Sequence, residues 1–293
     1  MNNPTDILKR VRLIEIKTRG LSNDLFAGRY HSAFKGRGMA FREVRGYEIG
    51  DDVRDIDWNV TARHQSPYIK IYEEERELTM MLMVDVSASR AFGTTSQLKR
   101  GVMTEIAAVL AFSASKNNDK VGCIFFSDRV EKFIPPKKGR AHILMIIREL
   151  LDFEPQSRAT SISVPLRYMT NVLTKRCTAF VLSDFIDMDG GKAAFEDALK
   201  IAANKHDVAA IRIYDRREAQ MPAVGIVEFI DAESGRRVWA DTSSRRLREE
   251  YAAEWESRSR VIESALRRCR VDSVDVATGD DYVNALIKLF KRR

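Results

Sequence analysis

Asp85, Ser87 and Ser89 occupy alternate positions directly after an unbroken apolar run, Met80-Met-Leu-Met-Val84. One carboxylate and two hydroxyls are hard oxygen donors, a set that suits Mg²⁺, Mn²⁺ or Ca²⁺ rather than zinc or copper. The same residue types also cap helices, so a second reading has Ser87 or Ser89 starting the helix ahead while Asp85 ends a strand. Further along, Thr178-Ala-Phe-Val-Leu-Ser-Asp184 repeats the device of an apolar strand ending in a serine and an aspartate. Between the two lies a loop, Arg158-Ala-Thr160-Ser161, which brings another hydroxyl ahead of a helix.

Such groups need elements that hold them. A short apolar run such as Met80–Val84 reads as a strand buried on both faces of a parallel sheet, and ligands of open α/β sheets bind beyond the carboxyl ends of such strands. From Thr79 onward strand and helix alternate, which predicts a doubly wound, mostly parallel α/β sheet. Helices are expected over Gln97–Lys116 (apolar on one side through Met103, Ile106, Ala107, Leu110 and Ala114), Gly139–Leu151, Val164–Leu173, Lys192–Asn204, Arg245–Arg270 and Tyr282–Phe290. Strands are expected at Val121–Phe126, Val208–Ile213 and Val271–Val276. An antiparallel edge strand, Arg129–Ile134, is closed by Pro135-Pro136. Val224–Ile230 and Val238–Ala240, flanking Glu233-Ser-Gly-Arg236, read as a β-hairpin insertion at about 222–242.

Ahead of this domain, residues 1–77 read as an N-terminal extension. It opens with an amphipathic helix capped around Pro4-Thr5-Asp6, and glycines 28, 36 and 38 mark turns. A polar passage follows, with Asp51, Asp52, Asp55 and Asp57 among Arg42, Arg45, Arg54 and Arg63; it reads as ion-paired loops around a buried Trp58. Pro67-Tyr-Ile-Lys-Ile-Tyr72 has strand periodicity and runs into the charged stretch Glu73–Glu77.

The 49 basic and 42 acidic residues leave a net charge of +7, with the signs mixed along the chain, which disfavours a nucleic-acid-binding surface. Even the Arg-rich helix 245–270 alternates with Glu249, Glu250, Glu254 and Glu263. Cys123, Cys177 and Cys269 are odd in number and far apart, which suggests neither a disulfide framework nor zinc. With no run near 18 apolar residues, no membrane span is expected, and the reading is a cytoplasmic protein.

Taken in order, Asp85-x-Ser87-x-Ser89, Thr160 and Asp184 resemble the metal-ion-dependent adhesion site of von Willebrand factor type A domains. The resemblance implies that these five residues surround one Mg²⁺ or Mn²⁺. The chain is more closely similar to a bacterial branch, the domain-of-unknown-function-58 family, through Tyr47-Glu-Ile-Gly-Asp-Asp-Val-Arg-Asp-Ile-Asp-Trp58, Thr61-Ala-Arg63, Glu73–Glu77, Val84–Ser89, Ser183-Asp-Phe185 and Leu289–Arg293. Ala40 and Gly46 depart from it, falling where the family often places Glu. The resemblance implies a Rossmann-type von Willebrand factor A-like domain at 78–293 and an accessory protein, often of a MoxR-type AAA+ ATPase, with no known catalysis. A cation held largely by neutral hydroxyls keeps an open position attractive to a partner's Asp or Glu. The enzyme alternative is a haloacid-dehalogenase-like phosphotransferase with Asp85 as nucleophile. It needs an acid/base carboxylate where Ser87 stands.

Overall fold

The computed structural model describes residues 9, 11–17, 39–74, 78–91, 93, 98–231 and 235–293. The expected cap at Pro4–Asp6, the turns at glycines 28, 36 and 38, Glu75–Glu77, the helix start at Gln97 and the hairpin tip at Glu233-Ser234 lie outside them. The chain forms two compact units. The larger comprises Met1–Phe34 with Thr79–Arg293, and the smaller is Lys35–Leu78.

The larger unit is built on a six-stranded sheet. Its strands are β3 (Thr79–Asp85), β4 (Lys120–Phe126), β5 (Val130–Lys137), β6 (Thr178–Ser183), β9 (Asp207–Tyr214) and β12 (Asp272–Ala277), in the order β12-β9-β6-β3-β4-β5. All neighbours are parallel except β4 and β5, so the sheet is the expected doubly wound, mostly parallel one. From β3 the chain steps to β4 on one side and later returns to β6 on the other. The sheet therefore reverses its order between β3 and β6, and ligands bind at such a switch point.

Burial follows the apolar runs. Met80 to Val84 are at most 2% exposed, as expected of a strand covered on both faces. One face buries Met81, Met83, Ile124 and Val181 against Leu166, Leu199 and Ile262, from helices α4 (Ser163–Val172), α5 (Glu196–Lys205) and α7 (Arg245–Arg268). Helices α3 (Arg140–Asp152) and α8 (Tyr282–Lys291) form at their expected places. The long helix α2 (Lys99–Lys116) differs from its expectation of one apolar side, because Val102 to Ala114 are all buried. A helix enclosed all round needs small or apolar residues on every face, and alanines 107, 108, 111 and 114 meet that need. Its acidic Glu105 is paired with Lys17, of helical residues 11–17, at 2.6 Å. The helix expected from Lys192 begins only at Glu196. Lys192–Ala193 instead form a short strand, β8, paired with β7 (Met188–Asp189) across Gly190-Gly191, whose positive φ angles of 53° and 78° make the tight turn.

The edge strand β5 runs through Pro135-Pro136 to Lys137 instead of stopping there. An edge strand can leave its outer side unbonded, so the missing prolyl N–H groups are tolerated. Opposite them the register slips between Val121 and Cys123. A Cβ on Gly122 would lie 2.6 Å from Met81 Sδ and 3.0 Å from both the Ile134 carbonyl oxygen and Pro136 Cγ. The hairpin forms as antiparallel β10 (Ile226–Ile230) and β11 (Arg237–Asp241). Along α7 the charges pair at i,i+4: Arg245 with Glu249, Arg246 with Glu250, Arg258 with Glu254 and Arg260 with Glu256.

The smaller unit corrects the reading of the polar passage. Its first part is a strand, β1 (Met39–Gly46), antiparallel to β2 (Tyr68–Glu74). Ion pairing occurs, through Arg45 with Asp51 at 2.8 Å and Lys70 with Asp57 at 3.6 Å. Asp51, Asp52 and Asp57 also accept from nearby backbone amides. Asp52 accepts from Arg54 N, Asp51 from Glu48 N, and Asp57 from Asn59 N and Val60 N at the start of helix α1 (Trp58–His64). Trp58 is not buried. It is 68% exposed at the first position of α1.

Candidate metal centre

The switch point collects three loops. The first leaves β3 at Asp85, which is 1% exposed. Its Oδ1 accepts from Ser87 N at 2.9 Å, which curls the loop back on itself, and the Ser87 and Ser89 hydroxyls meet at 3.1 Å. All three expected ligands of the Asp-x-Ser-x-Ser segment therefore share one turn. The second loop carries Thr160 and is tied down on both sides. Ala88 N donates to the Arg158 carbonyl at 3.2 Å, and Ser161 N to the Ser127 carbonyl at 2.9 Å. Glu131 steadies the approach to this loop, with Oε1 accepting from Gln156 N and Ser157 N at 3.1 Å each and from Ser127 Oγ at 2.7 Å.

The third loop follows β6. Its register with β3 pairs Val84 with Leu182, so both strands end at the same level. Ser183 Oγ donates to Asp85 Oδ2 at 2.7 Å and accepts from Phe185 N at 3.1 Å. Asp184 follows, with Oδ1 accepting from Ile186 N at 3.1 Å. The chain turns here through Phe185, whose φ of +60° lies in the left-handed region. That is a rare place for a bulky residue. The ring holds the turn: it is fully buried and sits edge-on to Phe195, centroids 5.6 Å apart.

Two carboxylates, Asp85 and Asp184, are thus buried near one another at neighbouring strand ends, with little access to water. Burial and then the Asp184 charge push the Asp85 carboxyl up to about 6, against the hydrogen bonds from Ser183 and Ser87. The donors present (two carboxylates, two convergent serine hydroxyls and the tethered Thr160 loop) fit a hard divalent cation by their chemistry. The dehalogenase-like alternative finds no carboxylate at position 87, where the side chain is a hydroxyl against Ser89.

Sequence reasoning misses several residues at the crevice. It makes Ser183 only the end of a strand, and it gives Lys99 and Glu218 no role. Lys99, the first residue of α2, is fully buried and donates to Asp184 Oδ2 at 3.0 Å and to Glu218 Oε1 at 2.6 Å. Burial alone pushes the lysine down, but the Asp184 and Glu218 charges outweigh it and raise it. Glu218 is aimed by a capping box at helix α6 (Arg216–Ala219), its Oε2 accepting from Asp215 N at 2.8 Å. Both residues carry a sequence signal. Asp215-Arg-Arg-Glu218 has the spacing of a capping box, and a lysine in the first turn of a helix opposes the macrodipole.

Against known proteins, the family described as "Protein of unknown function DUF58" matches residues 43–261. Uncharacterized protein Rv1480 of Mycobacterium tuberculosis is 28% identical over 288 residues, 97% of this chain and 88% of that protein. Among solved structures, the chain is similar to the conserved hypothetical protein BatB from Bacteroides thetaiotaomicron, at 17% identity and a TM-score of 0.49, over 73% of this chain and 98% of that one. The VWA domain of SpRpn10 gives 10% identity and a TM-score of 0.38 over 74% of this chain and 95% of that one.

Proposed function

The chain belongs to the DUF58 family, and on that premise we propose that it is a protein-interaction module whose docking point is a divalent cation at the end of β3. Asp85, Ser87, Ser89, Thr160 and Asp184 would hold Mg²⁺ or Mn²⁺, some of them through water. The observation that carries the reading is the meeting of the Asp85, Arg158–Ser161 and Asp184 loops at the switch point of the sheet. Bound there, the cation supplies positive charge that its neutral hydroxyl ligands do not cancel. An Asp or Glu of another protein completes the shell, and docking needs no bond to be made or broken.

The proposed partner is a MoxR-type AAA+ ATPase, for which this chain acts as an adaptor. Residues 41–58 of the smaller unit offer a second contact, since Ile49, Val53 and Trp58 are all exposed there.

Calorimetry with Mn²⁺ tests the site. Few charged ligands imply a dissociation constant of roughly 10⁻⁴ to 10⁻³ M. Asp85→Ala should lose the binding isotherm while keeping its circular dichroism, and an unchanged isotherm removes the assignment. A pull-down from native lysate with and without chelator tests the docking. Losing a buried interfacial charge typically costs about 2–5 kcal/mol, so chelation or the double change Ser87→Ala/Ser89→Ala should weaken capture by about 30-fold or more. Capture that ignores both treatments rules out docking through the cation.

A further inference from the structure

The cation reading leaves Lys99 without a part to play. A lysine is among the residues least often fully buried, and here it has no exposed surface. Its ammonium lies between Asp184 Oδ2 and Glu218 Oε1, which joins the segment after β6 to helix α6. Asp184 comes directly after β6, Asp85 closes β3 beside it, and Glu218 lies in α6, after β9 on the far side of β6.

This places a fixed positive charge on a carboxylate that a divalent cation would need. From this geometry we propose that Lys99 is a built-in competitor of the cation and sets the affinity of the site. The ammonium neutralises Asp184 while the site holds no metal, which keeps the crevice folded. An incoming divalent ion meets like charge at Asp184, and its affinity is reduced accordingly. Glu218 makes the exchange workable. It is a second acceptor, held in place by the Asp215 capping box, on which the ammonium stays when Asp184 turns to a metal. A lysine alone on Asp184 would have to be expelled into apolar surroundings, which is costly for a charge. The crevice is thus built to bind its cation reversibly rather than to keep it.

The inference rests on the cation reading above, and Mn²⁺ calorimetry on the full chain separates the two. Lys99→Met removes the charge at similar volume and should tighten Mn²⁺ binding by roughly tenfold or more. Glu218→Gln leaves Asp184 as the one full charge on the ammonium and should weaken Mn²⁺ binding several-fold. Lys99→Gln, which keeps a donor toward the two carboxylates without the charge, should tighten binding likewise and answers the question if Lys99→Met does not fold. Binding by the wild type with no gain in a folded Lys99→Met, or with unchanged or tighter binding in Glu218→Gln, overturns the role of Lys99 and leaves the metal site standing. Silence from both the wild type and Lys99→Met overturns the cation reading and this inference with it.

Discussion

The Ser183 hydroxyl donates to Oδ2 of Asp85 over 2.7 Å, joining residues 98 positions apart. The same oxygen accepts from the Phe185 amide at 3.1 Å, so one side chain both orients the carboxylate and starts the turn that delivers Asp184. All three groups are buried. Ser183→Ala leaves a buried amide and a buried carboxylate oxygen each short of a partner, which costs about 1–3 kcal/mol. Urea denaturation should show that loss at an unchanged slope. A loss below about 0.5 kcal/mol, the range of a surface change, would mean that water replaces the hydroxyl freely.

Phe185 sets backbone strain against packing. Its left-handed φ of +60° costs a residue with a Cβ about 1–2 kcal/mol, whereas glycine adopts it freely. Its ring is fully buried, and deleting a buried Phe side chain costs about 3–5 kcal/mol. Packing is the larger of the two, so Phe185→Gly should still be less stable than the wild type. Phe185→Ala, which keeps the strain and loses the ring, should be less stable again by about 1 kcal/mol. Thermal melts that rank Ala above Gly would show that the turn is unstrained.

Glu131 carries a pH dependence. Burial alone would raise its carboxyl, but the Ser127 hydroxyl and the Gln156 and Ser157 amides outweigh that and hold it below the ordinary 4.5. A depressed acid contributes its stabilisation fully above its ordinary value and loses it as pH falls through the lower folded value. Hydrogen exchange at the Gln156 and Ser157 amides should therefore stay slow above about pH 4.5, relative to the intrinsic rate, and lose protection in more acid solution. Glu131→Gln, which keeps one acceptor oxygen but loses the charge and the second, should speed their exchange several-fold near neutrality. Protection that is the same at low pH, or the same in the variant, assigns the order of this loop to other contacts.

Gly122 marks how closely β3, β4 and β5 are packed. Met81 can swing its sulfur away from an added methyl, but the Ile134 carbonyl at 3.0 Å belongs to the backbone and resists. Gly122→Ala should therefore cost about 1–3 kcal/mol, as overpacking generally does. A variant as stable as the wild type in urea would show that the β4–β5 slip relaxes to accept it.

Much of the fold is legible in the sequence because its determinants are local. An unbroken apolar run such as Met80–Val84 can be satisfied only between two covering layers, and the regular exchange of strand and helix then calls for a parallel sheet. The repeat of an apolar strand ending in Ser-Asp at Thr178–Asp184 points to the second carboxylate on similar grounds. Elsewhere local pattern is a poor guide. Residue type predicts a buried Trp58, yet in its small unit it begins a helix capped by Asp57 and faces solvent. The one-sided apolar pattern of α2 underestimates a helix that is covered all round.

The order of residues alone names the chemistry available: Asp85, Ser87 and Ser89 at one strand end, Thr160 on a loop and Asp184 at another strand end. That β6 lies beside β3, on the side away from β4, is visible only in the folded chain, because periodicity says that a strand is buried and not which neighbour it takes. That choice brings Asp184 near Asp85, and together with β9 on the far side of β6 it brings Lys99 to both Asp184, 85 positions away, and Glu218, 119 positions away. A lysine in a sequence looks like surface. Its burial follows from two carboxylates that the fold supplies from distant strand ends, and a buried charge persists only where such partners surround it.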